Sequence, residues 1–297
     1  MNKGVLYAAT AYLLWGVFPV YWKLLDKVPA YEILVHRMLW TFVVTLIVLT
    51  IRRDFQWLHK VNKRTLITFV ITGLTIASNW LVFIWAVNRG FIVEASLGYF
   101  INPLIHVLFG VIFLKEHLRL AQVFAILIAA AGVIYLTLNY GQFPWIALYL
   151  AVSFALYALL RKTAVLNSLE GLSMETGVLF IPAFFYLAYV ELNGTGALTH
   201  SDPGTAILLV GTGVITALPL LLFASGARRI PLVSIGILQY IAPTLQFMMG
   251  VFVFHEPFPR VRLVGFTIIW IALVIYTVEN LVHYSRRQFG KRTEIKS

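Results

Sequence analysis

The sequence predicts an all-α membrane protein with ten transmembrane helices, arranged as two inverted five-helix repeats around a central cavity. Three observations predict this fold. Of the 297 residues, 60% are hydrophobic and only 12% are charged, whereas a soluble domain is about 45–50% apolar and roughly 25% charged. The apolar residues form ten long runs, and the second half of the chain resembles the first. The composition excludes a cytosolic enzyme, a disordered chain and a collagen-like rod.

Each apolar run is long enough for a membrane-spanning helix, which needs about 20 mostly apolar residues. The runs lack the short alternating segments of a membrane β-barrel. The first run is longer than the h-region of a signal peptide, which has about 7–15 residues, so we interpret it as a retained helix. The predicted spans are residues 4–24, 32–51, 65–88, 93–114, 119–138, 143–160, 174–192, 204–226, 231–254 and 261–282.

The distribution of Lys and Arg predicts the orientation of these spans. With the N-terminus inside, the inner segments hold 17 of the 23 Lys and Arg residues and the outer segments hold four. Such an excess is typical of the cytoplasmic side. We therefore expect both termini in the cytoplasm, with the protein in the cell (inner) membrane. The net charge of +11 then indicates attraction to the membrane surface rather than to nucleic acid.

The two halves of the chain repeat at a spacing of 140 residues. Segment 94–118 aligns without gaps on 234–258, which pairs Pro103 with Pro243. Five spans are an odd number, so the second half must enter the membrane from the opposite side. Inverted repeats are typical of secondary transporters, whose substrate site lies near the membrane midplane. The predicted domains are a first repeat at 1–140, a second, inverted repeat at 141–283 and a basic cytoplasmic tail at 284–297.

Four stretches of the sequence carry a family resemblance. LLWGVFPVYWK, ILVHRMLW, NWLVFIWAVN and EASLGYFINPL resemble the RarD branch of the EamA family, within the drug/metabolite transporter superfamily. The resemblance covers nearly the whole chain and is most specific between Asn79 and Pro103. It implies ten helices in two inverted repeats and a cavity lined mainly by helices 1, 3, 4, 6, 8 and 9. By the same analogy, we expect export of small organic solutes.

Polar residues inside the predicted helices indicate where the cavity lies. Tyr99 and His106 fall on one face of helix 4, and Gln239 and Gln246 fall on one face of helix 9. The 140-residue spacing pairs the two stripes, so we expect them to face one another. The alternative is that these groups hold helices together. The predicted substrate-cavity residues are Trp15, Asn79, Trp80, Tyr99, Asn102, His106, Gln239 and Gln246, with Pro103 and Pro243 as hinges.

Charged residues at the helix ends predict a gate at each mouth of the cavity, closed by salt bridges. The alternative is that these charges are solvated and contribute little. Arg37 lies more than one turn inside helix 2, where it could pair with Glu32 or Glu94 or clamp a substrate carboxylate. The predicted outer gate is Lys23, Glu32, Arg37, Arg89 and Glu94, and the predicted inner gate is Lys162, Glu175 and Arg229.

The sequence favours a secondary transporter that works by alternating access and is not an enzyme. It contains no phosphate-binding loop and no zinc-binding motif, so we expect no cofactor and no metal. Expected partners are a small-molecule substrate, amino-acid-like or amphipathic, and the lipid bilayer. His106 or Glu94 could carry a proton that couples transport to a gradient. The small-residue stripe Ala125, Ala129 and Gly132 could support helix packing or a homodimer.

Two rival functions remain open from the sequence. A membrane-embedded enzyme would need a nucleophile, acid or metal cluster at one depth, and only the helix 4 stripe approaches this. A non-transporting sensor or scaffold usually adds a soluble domain, whereas the longest hydrophilic segment in this sequence is 283–297.

Overall fold

Helices provide all the regular secondary structure in the residues that the structure describes, which are 3–115, 118–140, 143–162, 164–227, 229–230 and 238–294. The structure is a computed structural model. Within these ranges, eight helices are long and apolar enough to cross a membrane, and two shorter apolar helices, Trp145–Arg161 and Ile241–Val253, accompany them. The prediction of an all-helical, multi-span protein is therefore confirmed.

The described helices are labelled here in chain order. They are α1 (Lys3–Lys23), α2 (Ala30–Arg52), α3 (Lys63–Asn88), α4 (Ile92–Leu114), α5 (Leu120–Tyr140), α6 (Trp145–Lys162), α7 (Ser168–Leu192), α8 (Pro203–Ala227), α9 (Ile241–Met248) and α10 (Arg260–Glu294). A 3₁₀ helix at Gln56–Lys60 precedes α3, and a one-turn helix at Ala197–His200 precedes α8. A π-helical turn at Met249–Val253 extends α9.

Asparagine caps fix the start of two helices. The Asn62 side chain accepts a hydrogen bond from the backbone N–H of Thr65 at the start of α3. Asn167 and Glu170 form a capping box at the start of α7, which satisfies backbone donors that have no partner within the helix. The helix α7 therefore begins at Ser168, and the predicted start at residue 174 is wrong. An apolar run marks the stretch that suits lipid, whereas the cap determines where the helix begins.

The last two helices also differ from the predicted spans. Residues 231–237 of the predicted span 231–254 lie outside the described residues. Residues 239 and 240 form a turn, so Pro243 falls in the first turn of α9, where a proline interrupts no helical hydrogen bond. The helix α10 runs to Glu294, through most of the segment 284–297 that was expected to form a tail.

Helices from the two halves of the chain interleave. The helix α1 packs against α8 and α9, while α6 packs against α3 and α4. Near the centre, α2 packs against α7 and α8, and α3 packs against α7. The pairs α4–α9 and α5–α10 complete the main contacts. When each label is shifted by five, α1–α8 becomes α6–α3, α1–α9 becomes α6–α4 and α2–α8 becomes α7–α3. The same shift leaves α2–α7, α4–α9 and α5–α10 unchanged.

Six helix ends converge on one apolar cluster, which we call the apolar seal. They are the C-terminal ends of α1 and α3 and the N-terminal ends of α2, α4, α6 and α8. The charge distribution of the sequence predicts that this end of the bundle faces outward. Because apolar side chains fill it, water has no polar path between these helix ends. The seal consists of Phe18, Trp22, Leu25, Val28, Ile33, Phe83, Ile84, Ala86, Val87, Ile92, Ala95, Ile146, Leu150, Ala197 and Leu209.

The small-residue stripe of α5 packs within the chain. Ala125 and Ala129 are buried in a cluster with Phe266 and Ile269 of α10. A Cβ atom added to Gly132 would lie 2.8 Å from Cγ1 of Ile269, so the glycine permits a close approach of the two helices. In this structure the stripe therefore supports the α5–α10 contact.

Candidate functional site

Arg37 lies in a buried site between five helices, which we call the Arg37 box. The box also contains Thr216, Trp80, Trp22 and Tyr99. The Arg37 side chain is only 3% exposed, and its Nε donates a hydrogen bond of 2.9 Å to Oγ1 of Thr216 on α8. The guanidinium Cζ lies 3.7 Å from the ring centroid of Trp80 on α3 and 5.2 Å from that of Trp22 on α1. Tyr99 on α4 is close enough to interact electrostatically with the guanidinium. The box therefore combines a positive charge with aromatic walls.

The Gln246 amide donates a hydrogen bond to a backbone carbonyl that a proline leaves without its usual donor. Pro19 lies inside α1 and has no N–H to donate to the carbonyl of Trp15, four residues earlier. Nε2 of Gln246 on α9 donates to that carbonyl at 3.0 Å. Gln246 is buried, and this hydrogen bond ties α9 to α1. The Trp15 ring itself packs edge to face on Tyr12, with a centroid distance of 5.4 Å.

Asn79 joins α3 to α6. Its Nδ2 donates to the carbonyl of Leu150 at 3.0 Å and to Oγ of Ser153 at 2.9 Å. The residue is fully buried, and its Oδ1 has no hydrogen-bond partner. The donor side of this amide thus holds two helices together, as the alternative interpretation of the sequence proposed, while the acceptor side is unused.

The predicted stripe on α4 lies against α3 and α6. Tyr99 packs edge to face on Phe83, with a centroid distance of 5.5 Å, and His106 packs in the same way on Phe154 at 6.2 Å. Asn102 is buried, and its Oδ1 has no partner. These polar groups therefore line the side of α4 that faces aromatic rings of the neighbouring helices.

The predicted pairing of the α4 and α9 stripes is not what brings these helices together. Their ring contact is between Phe100 and Tyr240, whose stacked rings have centroids 6.4 Å apart. Gln239 lies in the turn before α9 and is partly exposed. The helix α4 continues without interruption across Pro103. Tyr99 precedes Phe100 by one position, and neighbouring residues of a helix point about 100° apart, so Tyr99 faces other partners.

Two carboxylates of the predicted outer gate cap helix N-termini. Oε1 of Glu32 accepts from the backbone N–H of Ala197 at 2.6 Å, and Oε1 of Glu94 accepts from the N–H of Ile146 at 3.1 Å. The N-terminal end of a helix presents unpaired N–H donors and a partial positive charge. Each glutamate therefore accepts a hydrogen bond from a backbone N–H that has no acceptor within its own helix.

Among the cations of the predicted outer gate, Lys23 has partners other than these glutamates. Nζ of Lys23 donates to the backbone carbonyl of Asn88 at 3.2 Å and lies 5.9 Å from the ring centroid of Phe254. Arg89 is exposed. Among the residues that the structure describes, no salt bridge joins any two members of this gate. Apolar side chains of the seal pack between these helix ends.

At the opposite end, Glu175 pairs with Arg161. Nε of Arg161 lies 3.7 Å from Oε1 of Glu175, and the hydroxyl of Tyr157 donates to Oε2 at 3.2 Å. Arg161 also lies over the ring of Phe69, 5.1 Å from its centroid. The side chain of Lys162, which was predicted for this gate, lies outside the described residues. Arg229 is exposed and donates to the carbonyl of Ser225.

Glu256 caps α4 from the loop before α10. Its two carboxylate oxygens accept from the backbone N–H groups of Ile92 at 2.6 Å and Val93 at 2.8 Å. Burial raises the pKa of this carboxyl above its ordinary value of 4.5. This effect outweighs the two N–H groups and the positive charges of Arg262 and Lys23, which lower the pKa.

In the described part of the chain, one group of side chains has the spacing of metal ligands. Glu32, His36 and Glu191 offer ligand atoms within 4.8 Å of one another. The carboxylates are already engaged, Glu32 with Ala197 and Glu191 with the N–H of Leu198. In this structure the two glutamates therefore act as caps of the one-turn helix.

Several residues of these sites were not identified from the sequence. From the sequence, Arg161 is one of the 17 cations of the inner segments, and Thr216, Ser153 and Tyr157 have no expected role. Thr216 is one of few hydroxyls in an apolar helix, which is a usable signal of an interhelical bond. The partner of such a hydroxyl depends on which helices become neighbours, and spacing within one helix does not reveal that.

Comparison with known proteins places this architecture in a family. The EamA-like transporter family matches residues 2–138. The Bacillus subtilis (strain 168) protein named uncharacterized transporter YojE is 48% identical over 282 residues, covering 93% of this chain and 94% of its own. Proteins named RarD from Streptomyces exfoliatus and Escherichia coli (strain K12) are 43% and 38% identical, covering 94% and 98% of this chain and 90% and 98% of their own.

A solved crystal structure has the same fold. It superposes with a TM-score of 0.60 at 18% identity and covers 93% of this chain and 98% of its own. This likeness bears on the fold alone. The sequence relatives are similar along nearly their whole length, so the similarity includes every helix that contributes to the Arg37 box. The chain therefore belongs to the EamA-like transporter family, in its RarD branch.

Proposed function

We propose that this membrane transporter is a secondary carrier that moves small organic solutes by alternating access. Its relatives are named transporters, and the described helices include eight that are long enough to span a bilayer. Two five-helix halves of opposite orientation would rock around the buried region between them. Both termini would lie in the cytoplasm, and the membrane would be the cell (inner) membrane. By analogy with the family, the direction would be export.

The pattern of helix contacts carries this proposal. When α1–α5 are exchanged with α6–α10, contacting helix pairs become other contacting pairs. The pair α1–α8, for example, becomes α6–α3. Such an exchange is expected of two halves related by a two-fold axis, and each half then offers the same surfaces to the other. Two halves related by a two-fold axis can adopt two arrangements of similar energy, in which the halves exchange their conformations. This is the physical basis of alternating access.

The closed end of the bundle supports the same mechanism. The apolar seal and the caps made by Glu32, Glu94 and Glu256 hold six helix ends together. Opening this end would separate packed apolar surfaces and expose backbone donors. Closing the other end would compensate through equivalent contacts there. Proton coupling through His106 or Glu94 is a further proposal, as is a homodimer.

Uptake into proteoliposomes tests the function. Purified protein would be reconstituted and given a panel of labelled metabolites, with and without a pH gradient, beside protein-free liposomes. We expect saturable uptake of at least one organic solute, and faster uptake under a gradient if protons are coupled. Chemical conversion of a solute would instead indicate a membrane-embedded enzyme. Binding without uptake would indicate a sensor.

A further inference from the structure

Arg37 is a buried positive charge that has no negative partner among the described residues. Its side chain is 3% exposed, and no carboxylate of the described chain lies within 4.0 Å of the guanidinium. The Nη1 atom is buried and has no hydrogen-bond partner. Burying an unpaired charge costs several kcal/mol, and inside a membrane such charges usually have a functional partner.

The neighbours of Arg37 position it without neutralising it. Oγ1 of Thr216 accepts the Nε proton, which fixes the plane of the guanidinium. The guanidinium Cζ lies over the Trp80 ring, and the Trp22 and Phe18 rings are farther away at 5.2 Å and 5.9 Å. Aromatic faces attract a cation, but they accept no strong in-plane hydrogen bonds. The Nη1 donor therefore still lacks an acceptor.

The two carboxylates that the sequence offered as partners for Arg37 are engaged at helix ends. Glu32 accepts from Ala197, and Glu94 accepts from Ile146. Moving either one to Arg37 would leave a backbone N–H unsatisfied in an apolar surrounding, at about 1–3 kcal/mol. In this structure Nη1 therefore has no acceptor in the described chain.

We propose that the Arg37 guanidinium binds the carboxylate of the transported solute, so that the cargo is an organic monocarboxylate. A carboxylate matches the fork of guanidinium donors and supplies one negative charge for one positive charge. A phosphate monoester carries about 1.5–2 negative charges at pH 7, more than this single guanidinium offsets. The rings of Phe18, Trp22 and Trp80 would receive an apolar body attached to the carboxylate. This inference rests on the proposed carrier function, because the box is closed in this conformation and opens only if the helices separate.

Matched pairs of solutes test this inference. Proteoliposomes would receive labelled carboxylates with aliphatic, aromatic and amino-acid bodies, each beside its carboxamide of the same shape. At about pH 7.5 the acids are ionised, because a free carboxyl has a pKa of about 4, and protein-free liposomes measure passive flux. We expect the wild type to take up the transported carboxylates at least tenfold faster than their carboxamides.

Variants assign that preference to Arg37. In Arg37→Gln the preference for the carboxylate should disappear, while Arg37→Lys should keep it with an apparent KM raised at least tenfold. Thr216→Val should raise KM with little change in kcat, because it removes only the hydrogen bond that orients the guanidinium. Arg64→Gln, which removes an exposed arginine at the start of α3, is the matched control.

The outcomes separate the inference from the function. Uptake of solutes without any carboxylate preference, or a preference that survives in Arg37→Gln, overturns the inference and leaves the carrier standing. If no member of the panel moves, the carrier function fails, and the inference fails with it. If Arg37→Gln does not fold, the comparison of Arg37→Lys and Thr216→Val with the wild type decides. In that case an unchanged KM in both variants overturns the assignment.

Discussion

The Gln246 amide replaces a hydrogen bond that Pro19 removes from α1. A proline inside a membrane helix leaves the carbonyl of the residue four positions earlier without its donor. Here that carbonyl belongs to Trp15, and Gln246 reaches it from α9. A residue predicted as part of the cavity thus has a structural role that explains its burial. The same bond couples the two halves of the chain at one atom.

This role leads to a double-mutant prediction. Gln246→Leu should lower the free energy of unfolding by about 1 kcal/mol, because an interhelical hydrogen bond in a membrane protein contributes about that much. Adding Pro19→Ala should recover the loss, since alanine returns the backbone donor to Trp15. Thermal or denaturant unfolding in detergent measures both. Strictly additive effects of the two substitutions would contradict the explanation.

Asn79 permits a second test at the residue scale. Its two donated bonds lie entirely between α3 and α6, so Asn79→Leu should cost about 1 kcal/mol of stability. Ser153→Ala removes one of the two acceptors and should cost less. Unfolding measurements give the stability, and uptake assays on the folded fraction give the transport rate. A variant of full stability that no longer transports would show that Asn79 acts on the solute instead.

At the scale of elements, two glycines set how closely helices from opposite halves approach. Gly73 on α3 and Gly213 on α8 are 140 residues apart, the spacing of the sequence repeat. A Cβ added to Gly73 would lie 3.2 Å from the carbonyl oxygen of Glu175 on α7, and one added to Gly213 would clash with the carbonyl oxygen of Trp40 on α2. Backbone atoms cannot move aside as a flexible side chain can.

The glycines therefore predict graded effects. Gly213→Ala should destabilise the protein by about 1–3 kcal/mol, because α8 and α2 must separate. Gly73→Ala should cost less, since its contact needs a shift of only a few tenths of an ångström. Val214→Ala, at a neighbouring exposed position of α8, controls for changes in the helix itself. Melting temperatures in detergent rank the variants, and equal values for Gly213→Ala and Val214→Ala would refute the close-approach argument.

The cap that Glu256 provides for α4 predicts a pH dependence. Burial raises the pKa of Glu256 above 4.5, so above pH 4.5 the folded protein binds a proton that the unfolded chain has released. The stability contributed by this group is complete below 4.5 and declines as the pH rises to the folded-state pKa. Glu256→Gln should remove this part of the slope. Melting temperatures from about pH 4 to 7 compare the two proteins, and parallel curves would contradict the prediction.

At the scale of the whole molecule, the inverted arrangement predicts which loops share a side of the membrane. The sequence contains no cysteine, so a single introduced cysteine is a unique label. Lys60→Cys and Val165→Cys, at exposed positions, should react with an impermeant thiol reagent only from the cytoplasmic side. Lys27→Cys and Thr195→Cys should react from the opposite side. Labelling of Lys60→Cys and Val165→Cys from opposite sides would rule out the two inverted halves.

Much of the membrane fold could be predicted because long apolar runs have few alternatives. A run of about 20 apolar residues is stable in a bilayer only as a helix that satisfies its own backbone. The repeat spacing of 140 residues also held independent information, since it pairs Gly73 with Gly213 as well as the prolines. Helix boundaries were less predictable. The cap at Asn167 extends α7 beyond its apolar run, and the turn at Tyr240 shortens α9.

From the sequence alone one can predict that the chain is a helical membrane protein and which residues are polar within its helices. The contacts of each polar residue follow only from the packing of the helices. Glu32 and Glu94 cap helix ends, Gln246 serves a carbonyl beside a proline, and Arg37 has no acidic partner in the described chain. The physical reason is that a helix sequence fixes the direction of a side chain relative to its own axis, whereas hydrogen bonds and ion pairs depend on which helix packs opposite.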